Sequence, residues 1–518
     1  MTNDTTTAKQ RYEQLARQRQ PFLDRARDCA ALTIPALLPQ EGFNSSSDLP
    51  NPYQSLGARG VNNLSSKMML TLLPPSASFF RFAMEPSIEE QLDEKGKTAF
   101  DLALSKAEQA VLGEIEKRSV RTSAVEQFKH EIVTGNCLVQ YSEDRSTRVF
   151  PLTQYVVKRD TAGNVLEIII KEVISALALK KEFREQIKEH LQNDGRAKES
   201  DEIDVYTRIC LEDDKTYYIH QEVFGIEVPG TEGEYPKDKL PWIPYRWRIV
   251  DGQDYGRSYV EEYLGDLQSY NALNKSVVEA AAITARLLWL VNPNSVVDED
   301  DVVSKPNGSS IPGVEGDVVA LQADKRADLQ VSMTMIENLE KRLSHAFLLN
   351  SSIQRSGERV TAEEIRYMAT ELENTLGGVY STMSTQFQLP LVQLMMAQMS
   401  KAGLLPELPK DAVTPTIVTG LDALGRTHQL ARLDTFVDGA SERFGPEVVA
   451  RSIHMDEYMN RRAAALGIDP KGLIKTPEEM QAEQTQASNQ ALTEKLGPQV
   501  IKGMSDSVNM QQQQATDV

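Results

Sequence analysis

The sequence predicts a helix-rich α+β protein, and three patterns carry that prediction. Apolar residues recur every three to four positions over long stretches, as in Val331, Met335, Leu339, Leu343 and Phe347, the period of a half-buried helix. Between Cys137 and Val223 the period drops to two, in short runs rich in β-branched and aromatic residues. Two capping-box signatures, Ser258/Glu261 and Thr361/Glu364, mark helix starts, because hydroxyl and carboxylate each take an orphan backbone N–H. The 518 residues allow about three to four domains.

In chain order, residues 8–34 read as a basic amphipathic helix. Tyr12, Leu15, Phe22 and Ala26 face inward, Arg11, Arg17, Arg19, Arg25 and Arg27 outward, and an interruption falls at Pro21. Residues 39–53 are a loop by their Pro, Gly and Ser content. Gly57–Leu73 is a helix stopped by Pro74 and Pro75, and helices follow at 88–117 and 122–134. Cys137–Tyr141, Arg148–Phe150, Tyr155–Lys158 and Val165–Ile174 read as strands, the last two joined by the turn Asp160–Asn164. A charged helix is expected at 178–192, strands at Ile203–Leu211 and Thr216–Val223, and a loop-rich stretch from Gly225 to Pro244.

The Ser258 box opens a helix that runs to about Val291, with Val260, Leu264, Leu267, Leu273, Val277 and Ile283, or positions next to them, inward. Residues 292–325 hold prolines, glycines and short valine pairs: a loop with small strands, set between two long helices. The stripe from Val331 to Phe347 leads to a Ser/Gly loop, NSSIQRSGERV, at Asn350–Val360. Beyond it, Ile365, Met368, Leu372, Leu376, Val379, Met383 and Phe387 predict one helix of about 29 residues, roughly 43 Å long, with a kink at Pro390. Gly377 and Gly378 inside it are expected to mark close packing, a bend being the alternative. Helices are expected at 420–437, 446–466 and 477–497, and residues 504–518, ending QQQQATDV, read as disordered.

Composition narrows the function. A net charge of −19 has the wrong sign for a protein that grips nucleic acid through clustered Lys and Arg. No apolar run approaches the roughly 18 residues of a membrane span, and the polar start MTNDTTTAKQ lacks a secretory apolar core. Cys29, Cys137 and Cys210 lie far apart without a C-x-x-C, as befits inert thiols in a reducing compartment. Gly96-Lys97-Thr98 resembles the end of a phosphate-binding loop, but position 91 holds Gln91 instead of the first glycine. His130-Glu131 begins a zinc-protease pattern that Thr134 breaks, and there is no G-x-S-x-G elbow. No catalytic residue, cofactor or metal is therefore expected. The acidic run Asp298-Glu299-Asp300-Asp301 reads as a solvated stretch, since four consecutive carboxylates do not converge on one ion.

Three runs carry a family resemblance: GARGVNNLSSKMMLTLL at Gly57–Leu73, DYGRSYVEEYLGDL at Asp254–Leu267, and GERVTAEEIRYMATELENTLGGVYS from Gly357. In order and content, from about Arg11 to Leu424, the chain resembles the portal (head-to-tail connector) proteins of short-tailed phages of the autographivirus type. The match weakens beyond Gly425. The resemblance implies a portal fold of wing, stem, clip and crown, assembling into a dodecameric ring with a central channel at one capsid vertex. It implies a wing at 1–255, stem helices at 256–291 and 326–349, and a clip at 292–325. A channel loop at 350–360, a long wing helix at 361–401 and a crown at 402–503 complete the assignment.

The implied partners are further copies of the chain, double-stranded viral DNA passing through without sequence reading, and a terminase. Tail adaptor and tail proteins, scaffolding, internal core and major capsid proteins follow, with no membrane. The implied location is the virion, with host cytoplasm during assembly. Gln354, Arg355, Glu358 and Arg359 would then face DNA in the channel loop. Asp298, Glu299, Asp300, Asp301 and Lys305 would lie at the clip interface for terminase and tail adaptor. Taken alone, the 350–360 loop reads either as a solvated hairpin tip or as a loop aimed at a polyanion. Two other classes stay open from composition: an acidic helical scaffolding protein, and an ATP-driven packaging enzyme or nuclease. The hairpins at 137–223 disfavour the first, and the missing phosphate loop disfavours the second.

Overall fold

In the computed structural model the described residues are 6–40, 47–75, 78–84, 94–143, 147–193, 202–284, 288–306, 308–321, 326–349, 362–405, 413–417, 434–453, 458, 459 and 462. They belong to two units, Met1–Leu421 and Asp422–Val518. In the first unit, helix α1 (Ala8–Ala31) starts at a capping box of Thr7 and Gln10 and buries Tyr12, Leu15, Leu23 and Ala26. Pro21 does not interrupt it, because the residue lies on the exposed face, where solvent satisfies the carbonyl its missing N–H leaves. Arg19, expected outward, is buried. Its Nη1 donates to the carbonyls of Leu152 (2.8 Å), Thr153 (3.1 Å) and Tyr155 (2.7 Å), tying the helix to a sheet connection.

Helix α2 (Leu56–Leu72) ends before the proline pair, as its sequence dictates. β1 (Phe80–Met84), α3 (Glu94–Lys117) and α4 (Val120–Thr134) follow, and Gly135 closes α4 with a left-handed φ of 75°. A first antiparallel sheet holds β2 (Asn136–Gln140) between β3 (Arg148–Phe150) and β10 (Trp242–Arg246). A second runs through β4 (Tyr155–Arg159), β5 (Val165–Ser175), β6 (Glu202–Leu211), β7 (Thr216–Val223) and β8 (Ile226–Glu227), with β9 (Gly233–Pro236) also on β7. The single charged helix expected at 178–192 is two short ones, α5 (Lys181–Gln186) and α6 (Lys188–Asn193). The break between them falls at Ile187, which sits in a satellite core with Phe183, Ile203 and Val223.

The Ser258 cap opens α7 (Tyr259–Glu262), and after a step at Tyr263 the chain continues as α8 (Leu264–Thr284). That helix does not reach Val291. Leu288–Val291 is β11, paired antiparallel with β12 (Val318–Leu321). A run of four apolar residues has neither helical nor strand period, so its distant partner decides its state. Between the strands lies α9 (Glu299–Ser304), and beyond them α10 (Arg326–Ala346).

The long helix expected after residue 361 is segmented into α11 (Ala362–Leu376), α12 (Gly378–Met383), a π turn at 384–388 and α13 (Leu389–Lys401). Gly377 adopts φ 57°, and among the described residues a Cβ on either Gly377 or Gly378 would meet nothing within 4 Å. The pair therefore makes a bend, not a close contact. Pro390 sits in the first turn of α13, and the widened turn before it absorbs its missing donor. β13 (Val413–Ile417) returns to pair with β1, Phe80 opposite Ile417.

One main core joins these layers, with Leu64, Met68, Phe128, Leu138, Trp247, Leu343, Phe347, Leu372, Phe387 and Leu391 all buried in it. In the second unit, helical residues 434–444 pass the expected end at 437, and Gly445 then separates them from a helix at Pro446–Ser452, shorter than expected. Tyr458 donates to Asp434 at 2.6 Å there. The expected helix at 477–497 and tail at 504–518 lie outside the described residues.

Candidate functional site

The three sequence runs singled out above, far apart in the chain, meet where α7, α8 and α10 leave the sheets. Asp254 accepts from the Arg159 backbone N–H (2.8 Å) and from Lys158 Nζ (3.0 Å), which holds it to β4. Tyr255 Oη accepts the Val157 N–H at 3.0 Å, and burial pushes its phenol well above the ordinary range. Gly256 is required by crowding. A Cβ there would lie 2.9 Å from the carbonyl oxygens of both Gly135 and Arg248. The Asn136 side chain takes both polar groups of that glycine, accepting from its N–H (2.7 Å) and donating to its carbonyl (3.0 Å). Ser258 then accepts from the Glu261 N–H at 3.0 Å, and Tyr259 Oη donates to the Ala346 carbonyl at 2.8 Å. The sheet thus fixes the start of α7, and α7 fixes the end of α10.

From the other side, α2 presses on the same point. A Cβ on Gly60 would come within 2.6 Å of the Phe347 ring. Asn63 Nδ2 donates to the carbonyls of Phe347 (3.0 Å) and Leu348 (2.9 Å), and Lys67 Nζ to that of Leu348 (3.0 Å). Lys67 also pairs with Glu371 of α11 at 3.0 Å. Helix α10 ends in a Schellman turn, Leu349 N–H to Ser344 O and Leu348 N–H to His345 O, with Leu348 at φ 54° where glycine is usual. Lys67 and Asn63 were not singled out from sequence. For Lys67 a signal existed: a charged residue on the buried stripe of Leu64, Met68 and Leu72.

The expected DNA-facing residues Gln354, Arg355, Glu358 and Arg359 lie outside the described residues, as does Thr361 of the second capping box. The paired helices α8 and α10 are joined by Arg342 and Asp266 at 2.7 Å. Along α10 the predicted stripe divides: Leu339, Leu343 and Phe347 are buried, while Val331 and Met335 are 62% and 53% exposed. Val278 and Ile283 on α8, predicted or neighbouring stripe positions, are exposed in the same way.

The acidic run does not converge. Asp298 caps α9 by accepting from the Asp300 N–H (3.2 Å), Glu299, Asp300 and Asp301 fill its first turn, and Lys305 pairs with Asp301 at 2.7 Å. Among the described residues no group of His, Cys, Asp and Glu is arranged to hold a metal ion, and no helix is long and apolar enough to cross a membrane. The backbone of Gly96-Lys97-Thr98 lies within α3, not in a loop after a strand. His130 and Glu131 are packed inside the core on α4. Burial drives the histidine down to about 4 and the carboxyl up to about 8, and Gln127 Nε2 donates to Glu131 Oε1 at 2.7 Å. All three cysteines are free, and burial raises Cys29 to about 12.

The family described as "Bacteriophage head to tail connecting protein" matches residues 5–474. The chain belongs to the phage head-to-tail connecting proteins. Curated relatives of this connector include the portal protein of Escherichia phage T7, 40% identical over 511 residues, which covers 96% of this chain and 94% of the relative. The portal protein of Enterobacteria phage T3 is 40% identical over 482 residues, 92% and 89% of the two chains. That of Enterobacteria phage SP6 is 33% identical over 487 residues, 93% of each. Among solved structures, the neck of an empty GTA particle computed with C6 symmetry covers 80% of this chain and 91% of that one, at 10% identity and a TM-score of 0.37. That likeness is too loose to add to the fold. The chain is a portal protein of the short-tailed phage type, a structural connector of head and tail and not an enzyme.

Proposed function

We propose that twelve copies of this connector close into a ring whose channel admits the genome under a terminase, retains it, and releases it through the tail. In this reading 1–255 and 361–401 form the wing, and α8 and α10 form the stem. The segment from β11 to β12 forms the clip, 350–360 line the channel, and 402–503 form the crown, with 504–518 as a tail. The observation that carries it is the apolar outer half of the helix pair. Val278, Ile283, Val331, Met333 and Met335 are more than half exposed in a single chain. Neighbouring copies in a ring would remove that surface from water, with about 25 cal/mol gained per Å² of apolar area.

Arg355 and Arg359 would then repeat around the channel, each presenting a donor fork to phosphate without reading bases. A net charge of −19 per chain keeps the rest of the wall repulsive to DNA, so the duplex slides without deep binding minima. The carboxylates at Asp298–Asp301, with Lys305, would meet terminase first and tail adaptor later. Scaffolding, internal core and major capsid proteins would surround the ring at the vertex, after assembly in the host cytoplasm. Native mass and negative-stain images of the purified chain test this. A ring of about twelve copies with a stain-filled channel is expected. A monomer or an open filament at high concentration would overturn it.

A further inference from the structure

We propose that Lys67 is a positioning residue that clamps together the end of α10 and the body of α11, and so fixes where the chain leaves one helix and enters the other. Its side chain is only 8% exposed, an unusual place for an ammonium unless its donors are satisfied. They reach two different elements. One goes to the Leu348 carbonyl at 3.0 Å, just past the last turn of α10, and one to the Glu371 carboxylate at 3.0 Å on α11. No other contact described at this point joins those two helices through a single atom, and α2, which carries Lys67, is itself locked into the main core by Leu64, Met68 and Leu72.

The backbone beside the clamp is strained. Leu348 holds φ 54°, a left-handed conformation that a non-glycine residue adopts only when its surroundings over-determine it. Lys67 and Asn63 do so by taking the Leu348 carbonyl from the same side, and the buried Leu348 side chain packs in the main core. A strained exit held by two side chains of a third helix is a way to aim a chain, not to fill space. Glu371 extends the hold to the body of α11, so one ammonium ties that helix to the end of α10. The link to channel function rests on the proposed ring reading. The clamp itself does not.

Full-length protein carrying Lys67→Met or Glu371→Gln, beside the parent, provides the test. Amide hydrogen exchange is followed at 344–349 and 362–376, and genome retention is measured on warming particles assembled with each chain. Lys67→Met is expected to raise exchange about tenfold at both flanks, the effect of losing a buried charge-assisted hydrogen bond. Glu371→Gln, which spares the Leu348 contact, is expected to raise it at 362–376 and much less at 344–349. A residue that only fills space would loosen α2 and leave that asymmetry absent. Unchanged exchange at either flank in Lys67→Met removes the clamp. If Lys67→Met does not fold, unchanged exchange at 362–376 in Glu371→Gln removes it equally. Raised exchange with unaltered genome retention keeps the clamp and overturns the assignment of 350–360 to the channel.

Discussion

Glu131 makes the protein's stability depend on pH in a direction that its position dictates. It lies in the core on α4, its Oε2 has no hydrogen-bond partner among the described residues, and burial raises its carboxyl from 4.5 to about 8. The folded protein therefore holds a proton that the unfolded chain releases above about 4.5. Stability is fully present below that value and declines as pH rises toward 8. At about 1.4 kcal/mol per tenfold change in proton affinity, the whole decline is about 5 kcal/mol. Its neighbour His130 is displaced the other way, from 6.5 to about 4, so its contribution is lost as pH falls below 6.5. The two opposed slopes overlap between 4.5 and 6.5.

Above 6.5 only Glu131 of this pair still acts, and from there to pH 8 it costs the fold about 2 kcal/mol. Glu131→Gln removes the titration while its amide oxygen still accepts from Gln127. Thermal unfolding of parent and variant at pH 6.5, 7.2 and 8 should show the parent losing stability and the variant holding level. Parallel profiles over that range would mean that Glu131 is ionised in the fold, and the reasoning from burial would fail.

Other expectations follow from the same geometry. Val331→Asp, at a site 62% exposed in the single chain, should change the chain's own stability by no more than about 0.5 kcal/mol yet abolish ring formation in native mass measurements. Normal rings would remove the stem from the subunit contact. Replacing both Arg355 and Arg359 with alanine should leave rings intact and impair packaging or retention of DNA; a normal genome load would take the arginines out of the channel. Asp298→Ala should cost about 1 kcal/mol at the start of α9, and reversing charge across Asp298–Asp301 should weaken tail-adaptor binding in a pull-down without unfolding the chain. Unaltered binding would move that interface elsewhere.

What the sequence determined by itself was local in origin. Capping at Ser258, the proline stop after Leu72 and the alternation in β4 to β7 each depend on residues within one turn or one hairpin. The runs at Gly57–Leu73 and Asp254–Leu267 that carry the family resemblance hold Gly60 and Gly256, where a Cβ would come within 3 Å of the Phe347 ring or of the Gly135 and Arg248 carbonyls. Other features rested on partners remote in the chain. β1 is a strand because β13 returns to it, and Leu288–Val291 is one because Val318–Leu321 lies opposite. Arg19 points inward because three carbonyls of another element await it.

Gly377 shows the limit most clearly. A glycine pair in a helical pattern was expected to mark close approach, and the left-handed φ of Gly377 shows the alternative, a bend. Lys67 could stand out in sequence only as a charge on a buried stripe, and tertiary structure alone brought Leu348 and Glu371 to its ammonium. Periodicity and capping are written in neighbouring residues because their energies act across a few ångströms of local chain. Pairing, burial of charge and the choice between two uses of glycine depend on atoms that only the completed fold brings near.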